Sequence, residues 1–593
     1  MGVRLVIELL LLILIALQFW GNLQNRKILR KLPLLFVPFL PAAASAQPKE
    51  VVGPQPKVEL KRLWTPADAQ AAALADLMTL PVEQRLLTRY IWIQTPDPEA
   101  VKSVSATLNR ISRSSIIFRP VPLADNRLVR FSLAQLSFDI DKDLAEIVST
   151  WEALRFDPKF NLLLTPDTLK VVLGLPVTQQ PVATVRNGNT FEPMALGNLS
   201  AQDVVRVVAG HLDAKTAFSL QLATLSAAPI VTKEYLEFRA LSSIKDKGPF
   251  ATIFGGLYYE FRGIGKAAKK GQTDLDALLD SVGATGKRVA EQRVGMFRSG
   301  ITGKPRAVDF LPATNLRVGD GQAFILVTDD VKDESIDATQ HAMQTLRKQS
   351  FKPDGHEVIF SANNGLQAYA LFNGDGGLVD EVPPDIAADT TIPAQFPKRL
   401  QSASSCIRCH EAEGSDGLKN VSNDVQTLLE RGLDVFGDVS DLNRPIFRTV
   451  QELGSQYKGR PDKFIKQARF QFQSAMLDAT GPWEKTKPTD IVKVTAARLE
   501  KDTSAYWYGQ VDAPTALREL GFVAVPKTEA GPFLRRLLRP DADARAFGIQ
   551  PEDVRLGALL MDLPISRVEW SLVFAYAQSR ANKQLLLMKD NKP

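Results

Sequence analysis

Cysteine and histidine are nearly absent from this chain: two Cys and four His in 593 residues. Two cysteines cannot complete a four-cysteine zinc site, and His211, His341 and His356 lack the H-x3–5-H spacing of a finger. Both cysteines spent on one site leave none for disulfides, which says nothing against an extracytoplasmic location, because large domains do not need such staples. No dense Lys/Arg run with interleaved aromatics is present, so no nucleic-acid partner is expected. Gly265 and Gly271 flank a Lys-rich stretch, but no strand–Gly-x-x-x-x-Gly-Lys-Ser/Thr unit forms a phosphate cradle. Internal repeats and low-complexity tracts are also missing.

What little cysteine and histidine there is falls together. Cys406-Ile407-Arg408-Cys409-His410 reads C-x-x-C-H, the attachment pattern of a covalent c-type haem. Two thiols add to the porphyrin vinyl groups, and the adjacent imidazole reaches the iron as axial ligand. In a chain this poor in both residues, chance produces the arrangement roughly once in 45,000. A thioredoxin-like dithiol is the main rival; it wants a strand before and a helix after the motif, whereas Pro397 to Ser405 reads polar and irregular.

The length exceeds what one core usually serves, so two to four domains are expected. Hydrophobic residues make up 45% and charged residues 23%, the balance of a globular protein. Of the net charge of +6, four units belong to residues 1–46, where Arg4, Arg26, Lys27, Arg30 and Lys31 face only Glu8.

That N-terminal stretch carries two apolar runs. The second follows the basic cluster Arg26–Lys31 and ends in Ala44-Ser45-Ala46, a signal peptide cut after Ala46. The first, Leu5 to Trp20, is short for a span. It is either an uncleaved anchor, tethering the protein to a membrane, or the product of a start codon placed too far upstream. Residues 47–64 read as an extended linker.

Residues 65–395 read as an α+β region. Helices are expected at Pro66–Leu77, Pro81–Ile93, Pro98–Ile111 and Asp141–Leu154, and strands at Ser115–Val121 and Leu128–Leu133. Ser200 caps a helix over Val204–Val208, with His211 near its end. The Gly- and aromatic-rich stretch Phe250–Lys270 reads as turns and short strands. The clearest hairpin joins Glu357–Ala362 to Leu366–Phe372 through Asn363-Asn364-Gly365. Four prolines between 383 and 397 mark a boundary near 395. Residues 396–593 read as mostly helical: Val421–Leu433, Pro461–Ala479, Ile491–Lys501, Ala513–Leu520, Gly531–Leu538, Pro551–Leu563 and Ser566–Ala581.

Gly355-His-Glu-Val-Ile-Phe-Ser-Ala-Asn-Asn-Gly-Leu-Gln-Ala-Tyr369, followed by Ser405-Cys-Ile-Arg-Cys-His410, resembles a group of large exported bacterial c-type cytochrome proteins, abundant in planctomycetes. The match is specific in the hairpin and the haem motif, and weaker across residues 85–580. The resemblance implies a cytochrome c-like haem domain at 396–593, one covalent haem c, attachment outside the cytoplasm and electron transfer. His356 stands where the relatives carry Gly, which counts against it as a shared ligand.

The proximal ligand is His410, held beside the thioethers of Cys406 and Cys409. Two distal candidates stand out, Met476 and His356. Met476 follows His410 by a spacing similar to that of small cytochromes c, but its helical context favours an ordinary core methionine. His356 has a surface or supporting role as its alternative. Met296 is a further candidate without a positive argument, and His211 and His341 read as ordinary helix-associated histidines. Arg408 and Glu411 are expected at the haem edge, Arg408 solvated or paired with a propionate. Glu411 and Glu413 are expected in a charged turn open to a redox partner. An exported monohaem carrier in the periplasm is the first reading, exchanging electrons with a partner protein or a small-molecule donor or acceptor. A haem-dependent oxidoreductase of peroxidase type and a haem-based ligand sensor are the alternatives.

Overall fold

The computed structural model describes residues 64–581 apart from 161–181, 188–189, 196–227, 246–253, 285–292, 297–305, 319–320, 331–352, 383–387, 413–417, 419–460, 540–553 and scattered shorter gaps. The N-terminal segment 1–46, nearly all of the linker, the expected helices at 204–208 and 421–433, and His211, His341 and Glu413 lie outside the described residues.

Within them the chain is a mixed α/β protein with several small sheets and many helices. Helix α1, Pro66–Thr79, starts where its sequence signals it. Thr65 Oγ1 accepts the Asp68 N–H at 3.2 Å, Asp68 accepts the Thr65 N–H at 2.9 Å, and Pro66 occupies the first turn. Helix α2, Pro98–Ile111, is capped by Asp97, which accepts the Glu99 N–H at 2.9 Å. From Ser103 to Ile111 every residue of α2 is buried, which makes it the central strut of the molecule.

Strands β1 (Thr88–Trp92), β2 (Val121–Leu123) and β3 (Leu128–Ser132) form the first sheet. Two further strands, β4 (Val182–Asn187) and β5 (Thr190–Ala195), pair as a separate hairpin. A last strand, β6 (Ile230–Thr232), completes the first sheet in the order β2-β3-β1-β6, with only the β1–β6 pair parallel. Helices α3 (Lys233–Ala240), α4 (Tyr258–Arg262) and α5 (Asp274–Ser281) follow. The second sheet is an antiparallel meander of β7 (Arg293–Met296), β8 (Arg306–Val318), β9 (Gly321–Asp330), β10 (Gly355–Ser361) and β11 (Gln367–Asn373). Short strands β12 (Glu381–Val382) and β13 (Leu400–Gln401) then pair and lead into α6, Ser404–Ile407.

After these the elements are helical: α7 (Pro461–Thr480), α8 (Ile491–Trp507), α9 (Ala513–Glu519), α10 (Lys527–Leu537) and α11 (Val554–Leu560). They are accompanied by the two-residue strands β14 (Gln510–Val511) and β15 (Ile565–Ser566). Packing runs across residue 395. Cys406, Ile407, Ile465, Ala468, Ala496 and Leu499 share one apolar cluster with Ile91, Leu108, Ile359 and Tyr369, while residues 511–581 build a second.

The hairpin at 355–373 forms as its sequence indicates. The Gly365 N–H donates to Ala362 O at 2.9 Å and Gly365 takes φ +85°, so a tight turn ends on the one residue that enters the left-handed region freely. Other expectations are corrected. Pro81–Ile93 holds one helical turn, Val82–Arg85, and then β1. Its Thr, Tyr, Ile and Trp are all buried and suit a paired strand, so tertiary pairing overrides the helical reading. The strand expected at Ser115–Val121 begins only at Val121, on the sheet edge, where Pro122 is tolerated. The helix at Asp141–Leu154 breaks into short turns of changing pitch around Trp151, which is wedged between Phe131 and Phe261 with centroids at 5.2 and 4.8 Å. In Phe250–Lys270, α4 forms instead of strands, closed by Gly263 at φ +66°.

Candidate functional site

The approach to the cysteines is an ordered turn, where the composition of 397–405 suggested irregular chain. Leu400 and Gln401 pair with β12, and the backbone then reverses at Ala403 with φ +64° and ψ −78°. The Ser404 N–H spans that reversal to Ser402 O at 3.0 Å and also reaches Leu241 O at 2.9 Å. A three-residue turn of this hand is strained for a residue with a side chain, and persists where its surroundings fix it. Here Ser243 Oγ accepts the Ser402 N–H at 2.9 Å, and Ala403 is fully buried.

From that turn α6 runs directly into a wider, π-type turn at Arg408–Ala412. Positions three and four apart share a helix face, so Cys406, Cys409 and His410 lie on one side of this run. Neither cysteine is in a disulfide; Cys406 is buried and Cys409 half-buried. Burial, reinforced by the Glu357 carboxylate and by Cys409, pushes the Cys406 thiol well above its usual range. A nucleophilic dithiol needs a lowered pKa, so Cys406 is a poor centre for thiol–disulfide catalysis despite the strand before it and the helix after it.

The His410 imidazole is met by the second sheet. Its Nε2 lies 3.3 Å from Glu357 Oε1, and its ring stacks on Tyr369 with centroids 6.3 Å apart at 30°. Glu357 sits on β10 and Tyr369 on β11, so the hairpin legible in the sequence presents both to the motif. The Tyr369 hydroxyl donates to Glu411 at 2.9 Å. Burial, and then the Glu411 charge, raises the Tyr369 pKa far above the usual phenol, so the hydroxyl keeps its proton.

Two buried arginines, one outside the motif and one within it, tie this segment to other elements. Arg110, near the end of α2, pairs with Glu411; Arg408 pairs with Asp389 and, at 3.1 Å, with Glu500 on α8. Ser405 Oγ donates to the same Asp389 carboxylate at 2.8 Å. These contacts correct two expectations. Arg408 is buried rather than solvated, because two carboxylates compensate its charge. Glu411 is buried rather than open to a partner, because Arg110 and Tyr369 hold it inside.

The distal candidates lie elsewhere. Successive strand residues point to opposite faces, so His356 turns away from the face on which Glu357 meets His410. Its Nδ1 is 2.7 Å from Asp329. Met476 is fully buried in a cluster with Ala106, Leu366, Phe472, Trp483, Ile491 and Val492, separate from the one containing Cys406. Met296 ends β7, with Arg306 as its cross-strand partner.

No family model, curated protein or solved structure matches this chain.

Two thiols outside any disulfide and one imidazole, the donor types of a covalent haem, share one face of this helical run with buried arginines beside them, and no haem domain is identifiable among the described residues. Sequence reasoning missed Arg110, Tyr369, Asp389 and Glu500. Only Glu357 carried a signal, as an acidic residue directly before the apolar run Val358-Ile359-Phe360 of a strand; a carboxylate there needs a compensating partner.

Proposed function

We propose that the chain is an exported monohaem c-type cytochrome that carries electrons in the periplasm. One observation carries the reading: Cys406, Cys409 and His410 occupy one face of a single helical run, with neither thiol in a disulfide. The two thiols would hold the haem as thioethers and His410 would supply the axial nitrogen. When bound, the haem supplies a reversible one-electron couple, which the protein tunes through its ligands and burial. Tyr369 and Glu357 would orient the imidazole from one side, and the ion pairs of Arg110 with Glu411 and of Arg408 with Asp389 and Glu500 would fix the motif in place. The resemblance to large exported planctomycete cytochrome proteins supports the same reading, with 396–593 as the haem domain and the α+β region walling the site.

Partners would be a redox protein or a small-molecule electron donor or acceptor, reached outside the cytoplasm. The N-terminal segment would direct export and could tether the chain. Among the described residues no helix is long and apolar enough to cross a membrane.

A second reading, a haem-dependent oxidoreductase or ligand sensor, is favoured by one observation. Among the described residues, His356 turns to the opposite face of β10 and Met476 packs in an apolar cluster other than that of Cys406, so neither stands out as a second ligand beside His410. The full chain co-expressed with haem-maturation machinery tests both. Covalent haem retained on a denaturing gel, and lost in Cys406→Ala/Cys409→Ala, is the expected result; its absence from the wild type overturns the assignment. Ferrous haem indifferent to carbon monoxide favours the carrier, and prompt binding favours the enzyme or sensor.

A further inference from the structure

We propose that the segment 404–412, which carries Cys406, Cys409 and His410, is a switch: it is latched shut in the described fold and swings out about Ala403 to bring its thiols and imidazole to solvent. The inference goes beyond the haem reading above, and its test needs no haem.

The latch is built from side chains of four other elements or loops. The Glu357 carboxylate accepts from the Cys406 thiol and stands 3.3 Å from His410 Nε2. Tyr369 stacks on His410 and donates to Glu411, which Arg110 also meets. Asp389 and Glu500 hold Arg408. Cys406, Ile407, Tyr369 and Glu411 are each at most 3% exposed, and this closed lining leaves no room for a porphyrin. The donor types of the motif and the space around them therefore disagree, and a second arrangement of the segment resolves the disagreement.

Two features favour release of this segment. From Ser404 to Glu411, Ile407 is the one large apolar side chain, so opening returns little hydrocarbon to water. Most of the remaining latch is ionic, and the charges of Glu411, Arg408 and Arg110 regain in water the hydration that burial removed. The second feature is the entry point. Ala403 sits at φ +64° and ψ −78°, strained for a residue with a side chain and held there only by the closed contacts. Parting those contacts lets the strain go. Any group that adds to both thiols meets them in the open arrangement, where Cys406, Cys409 and His410 are presented together on one helix face.

The test labels the full, reduced, haem-free chain with iodoacetamide and follows the Cys406 peptide by mass spectrometry, in urea below the unfolding transition. Local opening exposes little surface, so the Cys406 rate is expected to depend weakly on urea; labelling through global unfolding rises with the full slope of the transition. Tyr369→Phe removes one latch contact and is expected to speed Cys406 labelling about tenfold or more. Ala403→Gly relieves the closed arrangement of its strain and is expected to slow labelling roughly threefold or more, a change that loss of stability cannot imitate. Circular dichroism checks that both variants are folded. A wild-type Cys406 rate that follows the global slope overturns the switch, as does a urea-insensitive rate that Ala403→Gly does not slow or Tyr369→Phe does not raise. None of these readings involves haem, so the switch and the haem assignment fail separately.

Discussion

The Tyr369 hydroxyl donates to Glu411 at 2.9 Å while its ring stacks on His410, so one side chain of β11 touches the last residue of the motif and the residue that follows it. Glu411 in turn binds Arg110 of α2, and both partners are buried, at 0% and 2% exposure. Breaking a buried pair by removing one partner leaves an uncompensated charge and costs about 3–5 kcal/mol. Glu411→Leu is expected to lower the unfolding free energy by that order in urea titrations, and adding Arg110→Met to recover most of it. A loss below about 1 kcal/mol, the range of exposed pairs, would show that water reaches this pair in solution.

The two motif thiols should differ in reactivity before haem is attached. Cys406 is 2% exposed and its pKa is raised by burial and by Glu357, whereas Cys409 is half-buried. Alkylation proceeds through the thiolate, so iodoacetamide should label Cys409 well before Cys406 in the haem-free chain. Denaturant should bring the two rates together, and mass spectrometry of the peptides reads both. Equal labelling in the native state would mean that the turn at Ala403 does not hold Cys406 inside.

Much of the local structure is legible in the sequence, because local rules decide it. Asp97-Pro98 starts α2 and Asn363-Asn364-Gly365 turns the hairpin, each through a cap or turn acting within a few residues. The motif itself is written in five consecutive residues. What encloses it is not. Arg110 meets Glu411 across 301 positions and Tyr369 meets it across 42, and neither distance leaves a periodic trace. The same limit explains β1. Its residues suit a buried strand, but the partners that make it one, β3 and β6, are decided far along the chain. Glu411 and Arg408 looked solvent-exposed for a related reason: charge predicts exposure only when no counter-charge is brought to it.

A buried acid remote from the motif gives a pH prediction. Glu237 on α3 accepts from Ser103 Oγ at 2.8 Å and from Lys233 Nζ at 2.7 Å; Lys233 also pairs with Asp502 of α8, which Arg498 Nε meets at 3.0 Å. Burial pushes Glu237 up to about 7 although Lys233 pulls it down. Between its ordinary value near 4.5 and about 7, the folded chain keeps a proton that the unfolded chain has released. This contribution to stability is therefore full below the unfolded value and is lost as pH rises through the folded one. Unfolding free energy should fall from about pH 4.5 to about pH 7, and Glu237→Gln should flatten that slope. A slope untouched by the substitution would place its origin elsewhere.

Met476 separates packing from ligation. It is fully buried among Ala106, Phe472, Trp483 and Ile491, so truncation leaves a cavity in the contact between α2 and α7. Loss of a buried Met side chain to Ala costs about 2–5 kcal/mol, whereas Leu, of similar volume, usually costs less than about 1.5 kcal/mol. Met476→Ala is thus expected to be clearly destabilised and Met476→Leu nearly wild type, when both are unfolded in urea. Neither should alter the visible spectrum of haem-loaded protein, because the cluster around Met476 does not include Cys406. Should Met476→Leu keep its stability and yet lose a long-wavelength band seen in the ferric wild type, the thioether reaches the iron and the packing around α7 rearranges when haem binds.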